Sequence, residues 1–247
     1  TQPPQLFFWG ARTLYLGQAL GLSAHRNAVA VLCASLDGPF GVARNLRQPD
    51  ADTMACRTAL IPANTLHHLS TGSGTMAFLY VDARSDDYRR LATSTNVMHE
   101  RYGSGIANET AYLNVLASLR DGKPWREARD ALVSVLGLAT PARNDDRITE
   151  ALRYMRDDPT AAHDLDHVAA GAKLSPSRFQ HLFKEQTGVP FRRHRIWMRM
   201  GAAVRAIAAG NTLTEAAFAA GFSSSAHFSA AFREMFGLSP SQLAPSS

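Results

Sequence analysis

Phe179-Gln-His-Leu-Phe183-Lys184-Glu185-Gln-Thr-Gly188 returns 49 residues later as Phe228-Ser-Ala-Ala-Phe232-Arg233-Glu234-Met-Phe-Gly237. Each copy follows a shorter apolar segment, Leu165-Asp-His-Val168-Ala169 and Leu213-Thr-Glu-Ala216-Ala217, and here the offset is 48. The copies therefore differ by one residue in the turn between the two segments. Phe179 and Phe183 lie one helical turn apart, as do Phe228 and Phe232, so each pair faces one core. Ser175-Pro176 offers a capping hydroxyl before a proline at the first helical position, and Ser223 to Ser225 offer the same oxygen in the second copy. Gly188 with Pro190, and Gly237 with Pro240, mark where each longer helix stops. Gly221 sits in the inter-helix turn of copy two, where a left-handed backbone is easiest for glycine. Copy one has Lys173 there, a less comfortable fit.

Each unit thus reads as helix, tight turn, helix, the arrangement whose second helix can enter the DNA major groove. The plainer alternative is a helical bundle that meets no nucleic acid. Against it stand the duplication, a basic connecting segment and polar outer faces. Those faces carry Ser177, Arg178, Gln180, His181 and Lys184 in copy one, and Ser224, Ser225, His227 and Ser229 in copy two. Two helix-turn-helix units joined by one long helix, ending in Gly221-Phe-Ser-Ser-Ser-Ala-His-Phe-Ser-Ala-Ala-Phe-Arg-Glu-Met-Phe-Gly-Leu-Ser-Pro240, resemble the DNA-binding domain of the AraC/XylS family of bacterial transcription regulators. The resemblance covers roughly the last hundred residues and is much weaker before them.

The 247-residue chain is 45% hydrophobic and 19% charged, an ordinary globular balance with room for two domains. Its net charge of +5 favours a polyanionic partner. No apolar run approaches a membrane span, and Thr1-Gln-Pro-Pro-Gln5 lacks the basic start and apolar core of a signal peptide. Cys33 and Cys56 make no disulfide framework. A reducing cytoplasm fits all three, and no membrane partner is expected.

Residues 1–90 read as mostly strand. Val29 to Leu36 is a continuous apolar run closed by the turn Asp37-Gly38-Pro39; Phe40 to Leu46 alternates and pairs back as a hairpin. Ala59-Leu-Ile-Pro62 and Met76 to Asp82 are further strands, the latter after the turn Thr71-Gly-Ser-Gly74. Short strands at regular spacing point to a sandwich or small barrel, and the Leu-Ile-Pro…His pattern looks like the cupin-type barrel in front of many AraC-family regulators. From Ser85 the period turns helical, with helices expected at Asp86 to Thr93, Asn108 to Arg120 and Pro124 to Leu136, separated by glycine-containing breaks. Tyr112, Val115, Leu116 and Leu119 form a stripe that either packs on its own barrel or, as the resemblance implies, forms a dimer seam.

Gly137 to Asp146, with Pro141, reads as a linker, so the expected division is a cupin-like sensing and dimerisation domain over 1–140 and the double helix-turn-helix domain over 145–247. The fold class is α+β. Asp145-Asp146 opens a helix to Arg156 with Ile148, Leu152 and Met155 on its apolar face. Pro190 opens the connecting helix, whose buried stripe is read as Ile196, Met200, Val204 and Ile207, and whose Arg192, Arg193, Arg195 and Arg199 make one end basic.

DNA carries a charge about every 1.7 Å of axis, and neutralising phosphates releases counterions. Arg192, Arg193, Arg195, Lys184 and Arg233 are the candidates for that sequence-independent grip. Base reading falls to Arg178, Gln180 and His181, since Arg matches guanine and Gln matches adenine with two hydrogen bonds each, while Ser177 can meet a base or a thymine methyl. On one rigid helix the two units can reach successive major grooves, about 34 Å apart. The second unit departs from the family pattern: Ala226, Ala230 and Ala231 stand where long polar residues are common, leaving Ser224, Ser225, His227 and Ser229. The first unit is therefore expected to supply most of the sequence discrimination, and the second to grip backbone or read shape.

The front half offers Trp9, His25, Cys33, Cys56, His67 and His68 as possible effector ligands. The His-x-His then Glu pattern of metal-dependent cupin enzymes is missing, and His67 and His68, if extended, point to opposite faces. There is no phosphate loop or nucleophile elbow, so no enzyme, cofactor or resident metal is expected. Resemblance implies a small-molecule effector, a homodimer and, for an activator, contact with RNA polymerase. Two alternatives stay open: a cupin-like metalloenzyme or ligand-binding protein whose helical tail is an interaction module, and a regulator without an effector.

Overall fold

The computed structural model describes residues 4–19, 23–47, 49–139, 145–158, 163–237 and 239–240. Contacts divide it into two compact units, with Thr13–Ala139 the body of one and Thr140–Phe232 the body of the other.

The front unit is built on strands: β1 Gln5–Trp9, β2 Arg12–Gln18, β3 Ala30–Ser35, β4 Phe40–Ala43, β5 Thr53–Cys56, β6 Thr58–Ile61, β7 Leu69–Ser70, β8 Thr75–Val81, β9 Thr95–Met98 and β10 Gly103–Ile106. Seven lie in one sheet, in the order β1-β2-β8-β3-β6-β10-β9; three lie in another, β5-β4-β7. The continuous apolar runs become its centre: every residue of β3 and β6 is buried, as is β8 after Thr75. β3 pairs antiparallel on both edges, with Cys33 opposite Phe78 of β8 and opposite Ala59 of β6. That corrects the hairpin expected for Phe40 to Leu46. β3 has no free edge left, so β4 turns onto the small sheet, with Gly41 between Ala55 and Ser70.

Helix α1 (Asp86–Thr93) starts on Ser85, whose hydroxyl accepts from the Tyr88 amide; α2 (Glu109–Arg120) and α3 (Trp125–Val135) follow. All three lie where the helical period places them. Tyr112, Leu116 and Leu119 are buried, so the α2 stripe packs on its own unit. The Thr58 hydroxyl donates to Glu109, tying the start of α2 to β6. The break between α1 and α2 holds β9 and β10, which the sequence reading passed over. A Cβ at Gly103 would stand 2.2 Å from Thr95 Cγ2, so a larger residue there would have to displace the Thr95 side chain.

The second unit is helical: α4 Asp146–Asp157, α5 Leu165–Gly171, α6 Pro176–Thr187, α7 Phe191–Ala208, α8 Leu213–Ala219 and α9 Ser225–Phe236. Of the expected linker, Pro141 and its neighbours at 140–144 lie outside the described residues. Ile148, Met155, Val168, Phe179, Phe183 and Phe191 form one core across α4 to α7. The α7 stripe needs one correction. Ile196 is 40% exposed, and Trp197 at 1% takes the buried position beside Met200, Val204 and Ile207. The Phe191 ring stands edge-on to both Phe179 and Phe183, at 5.5 and 5.3 Å, and fixes the rotation of the helix. His194, one turn on, packs against Phe183 at 5.2 Å.

Candidate nucleic-acid interface

The two inter-helix turns are the same backbone built twice. Lys173 takes φ +55° and Gly221 takes φ +76°. The Lys173 amide donates to Ala170 and the Leu174 amide to Ala169; the Gly221 amide donates to Phe218 and the Phe222 amide to Ala217. Holding a lysine in this region costs about 1–2 kcal/mol, offset for glycine by its looser unfolded chain. Lys173→Gly is therefore expected to stabilise the unit by up to about 1 kcal/mol, and Gly221→Lys to destabilise it by a similar amount. Urea unfolding of both variants checks the pair of opposite signs.

Each recognition helix is then capped by serine. The Ser175 hydroxyl accepts from the Arg178 amide at 3.3 Å and Pro176 fills the first helical position; Gly188 closes the helix at φ +78°. In the second unit the Ser224 hydroxyl accepts from the His227 amide at 3.0 Å, and the His227 ring reaches Ser223 Oγ at 2.9 Å. Ser224 and His227 thus serve the local helix start, while Ser225 and Ser229 are half-buried. α8 begins with a reciprocal cap, Thr212 bonded to Glu215 in both directions.

On α6 the buried positions are Phe179, Phe183 and Gln186, and the opposite face presents Ser177, Arg178, Gln180, His181 and Lys184 to solvent. All five predicted first-unit residues therefore share one open face, with His181 3.9 Å from Glu185. Gln186 is a residue the sequence reading missed. Its Oε1 accepts from the Asp145 amide at 2.9 Å and its Nε2 donates to Thr149 at 3.0 Å, which ties the start of α4 to the recognition helix. A polar side chain one turn after the Phe pair was the only signal for it.

The cations divide by what they touch. On α4, Arg153 pairs with Glu150 and Asp157, and Arg147 with Asp145. Among the described residues no such ion pair engages Arg178, Lys184, Arg192, Arg199 or Arg233, and Arg192 and Arg233 are exposed. Arg193 and Arg195 are half-buried; the Arg195 guanidinium lies 5.9 Å over the Phe191 ring. Burial first, then Arg199, with Arg192 adding and Asp164 opposing, pulls its pKa below the usual arginine range. Its charge persists. The start of α7 therefore concentrates positive charge whose natural complement is phosphate.

The predicted effector residues are less concentrated. His25 and His67 meet as an isolated two-strand bridge, bonding each other's backbone at 3.0 Å with rings 4.5 Å apart. His68 turns away to Asp50, Nε2 to Oδ1 3.1 Å. Cys33 is buried in β3, and burial pushes its thiol well up; Cys56 on β5 is half-buried, raised to about 12 by burial and by Glu109. Neither is a reactive thiolate. Trp9 ends β1 with the Arg12 guanidinium 6.0 Å from its ring. No group of three or more potential metal ligands occurs among the described residues.

A family model described as a helix-turn-helix domain matches residues 168–245, the span of both duplicated turns and both capped helices. Residues 168–245 form a helix-turn-helix domain. The fold extends the likeness beyond that domain. ToxT from Vibrio cholerae O395 aligns over 94% of this chain and 96% of its own with a TM-score of 0.51 at 13% identity. ToxT of strain SCE256 with an unsaturated fatty acid bound aligns over 96% and 95%, at 11% identity and TM-score 0.49. An AraC-type DNA-binding domain from Chromobacterium violaceum aligns over 40% of this chain and 89% of its own, at 24% identity and TM-score 0.37. Comparison with curated proteins finds no match. No helix among the described residues is long and apolar enough to cross a membrane.

Proposed function

We propose that this chain is a sequence-specific transcription regulator that binds duplex DNA with both helix-turn-helix units and acts in the cytoplasm. The observation that carries the reading is the exposed face of α6, where Arg178, Gln180, His181 and Lys184 stand together in solvent. Lys184, Arg192, Arg193, Arg195 and Arg233 hold phosphates. Arg178, Gln180, His181 and Ser177 read bases. The second unit, with short side chains already bonded at its helix start, contributes grip and shape reading through Ser224, Ser225, His227 and Ser229.

Gln180→Ala is expected to weaken specific binding by about 1–3 kcal/mol and to relax one base position, with the salt slope unchanged. Binding titrations against single-base operator variants measure it. A larger loss of discrimination from Ser225→Ala or His227→Ala would reverse the assignment of the two units.

The front unit, on this proposal, binds a small-molecule effector and pairs protomers. His25 and His67 are the two predicted ligands that stand together, and both are held neutral by burial, suited to hydrogen bonding rather than to ion pairing. The ToxT structure with an unsaturated fatty acid names the first compound class to test. A ligand that binds the folded chain raises its melting temperature with the logarithm of its concentration above Kd, and a mutation at His67 should shift that response.

A further inference from the structure

The two helix-turn-helix units differ where their shared backbone gives no reason to. Counting 48 residues on, Gly171 at the end of α5 corresponds to Ala219 at the end of α8, and Lys173 in the first turn corresponds to Gly221 in the second. The second unit has the residues its backbone prefers, alanine in a helix and glycine at positive φ. The first unit reverses both. Gly171 is helical without a positive φ, and a Cβ there would meet nothing within 4 Å. Lys173 stands at φ +55°. Neither choice is explained by α5 and its turn alone. Both residues line one groove of about 500 Å³ between α4 and α5.

Ile148 and Met155 are fully buried in the core, so Asp146, Glu150 and Tyr154, each one turn from the next, stand on another side of α4, along the groove. Its floor is small, made by Ala151, Val168 and Ala172 with Gly171 beside them. Tyr154 is 45% exposed, and its hydroxyl reaches His167 Nε2 only at 3.5 Å, too long for a strong hydrogen bond. The two rings, 6.3 Å apart, give the groove an aromatic wall. Most of its charges have local roles. Arg147 pairs with Asp145 and Glu150 with Arg153, while Asp146 lies in the first turn of α4, where the helix dipole favours a carboxylate. Among the described residues no ion pair engages Lys173. It follows His167 by six residues, about 9 Å along the groove at helical rise.

We propose that this groove binds a small aromatic carboxylate, its ring against Tyr154 and His167 over the small floor and its acid group on the Lys173 ammonium. Pockets for such ligands run roughly 300–1,000 Å³ and are mostly apolar with a few placed polar groups. Both reversed choices then have a reason: Gly171 keeps the floor open, and a lysine supplies the cation that glycine could not. The site shares no residue with the proposed effector site at His25 and His67, and it does not rest on the DNA reading.

The test is equilibrium dialysis of the 247-residue chain against biphenyl-4-carboxylate, whose two rings and acid group suit the distance from Tyr154 to Lys173, and against its neutral counterpart biphenyl-4-methanol. The carboxylate is expected to bind with a Kd of about 0.1–1 mM, the range for a ligand of this size, and about two- to fivefold more tightly than the alcohol. Lys173→Gly, the stabilising change described above, should erase that preference and keep the alcohol's affinity. Gly171→Leu fills the floor with a better helix former and should abolish binding of both. His67→Gln should change neither. The first two variants are expected to melt no lower than the parent, so their lost binding is not lost structure. No saturable binding by the wild type overturns the proposal. Binding that survives Gly171→Leu, or that falls with His67→Gln, puts the ligand elsewhere in the chain and overturns it too. A carboxylate preference that is absent from the wild type, or that persists in Lys173→Gly, overturns the anion assignment and leaves the groove to a neutral apolar ligand or to a partner protein's side chain.

Discussion

Phe183→Ala is expected to remove about 3–5 kcal/mol from the helix-turn-helix unit, the usual range for deleting a fully buried ring. Phe183 is 0% exposed and stands within 5.5 Å of the Phe179 ring, 5.3 Å of Phe191 and 5.2 Å of His194. It therefore joins α6 to the start of α7, the two elements that carry the proposed base-reading face and the basic cluster. Domain stabilities run at about 5–15 kcal/mol, so this loss is a large share of the total. Circular dichroism melting of the variant should split into two transitions, the helical unit first and the strand-rich front unit near its original temperature. Specific DNA binding should disappear with the first transition. A single unshifted transition would mean that the ring is not the hub of this core.

Acid should weaken the front unit through His67. Its pKa is lowered to about 4, chiefly by burial, with His25 and His68 adding and a hydrogen bond to the Thr65 carbonyl opposing. The unfolded chain keeps an ordinary histidine, near 6.5. Between those values the unfolded state binds the extra proton, so stability is fully present above about pH 6.5 and falls as pH drops toward 4. The full effect is about 3 kcal/mol, because each pH unit between the folded and unfolded values is worth about 1.4 kcal/mol. Urea unfolding at about pH 7.5 and about pH 4.5 measures it. In His67→Gln, which cannot titrate, the acid-induced loss should be smaller by about that amount. Parallel losses in the two proteins would show that the His67 proton is not the cause.

These two residues also mark what sequence alone can reveal. The Phe183 neighbourhood was legible because its signals are local: phenylalanines one turn apart, Ser175-Pro176 at one end, Gly188 at the other. The same holds for α1 to α3, which start at Ser85, Asn108 and Pro124 as their periods require. The rotation of α7 was not legible, because Ile196 and Trp197 are equally apolar neighbours and only the packing of Phe191 decides between them. Strands β9 and β10 were missed because Thr95-Asn-Val-Met98 is an exposed edge and Gly103-Ser-Gly-Ile106 is glycine-rich, so neither shows alternation. The meeting of His25 with His67 joins loops 42 residues apart, and nothing in either neighbourhood announces it.

On the interface, residue type identified the open face of α6 because exposure there follows directly from helical period. It identified neither Gln186, whose role depends on where α4 begins, nor the local bonds that occupy Ser224 and His227. Those bonds strengthen the expectation that the two units divide the work unequally.

Selection of bound duplexes from a random pool by the 247-residue chain, with affinity followed against salt, separates a sequence-specific regulator from a basic surface that grips any DNA. The expected result is a recovered site with two parts about one helical turn apart, roughly 34 Å, the part under α6 sharply defined and the other weaker. Uniform, steeply salt-dependent binding with no recovered sequence, or no binding at all, would contradict it.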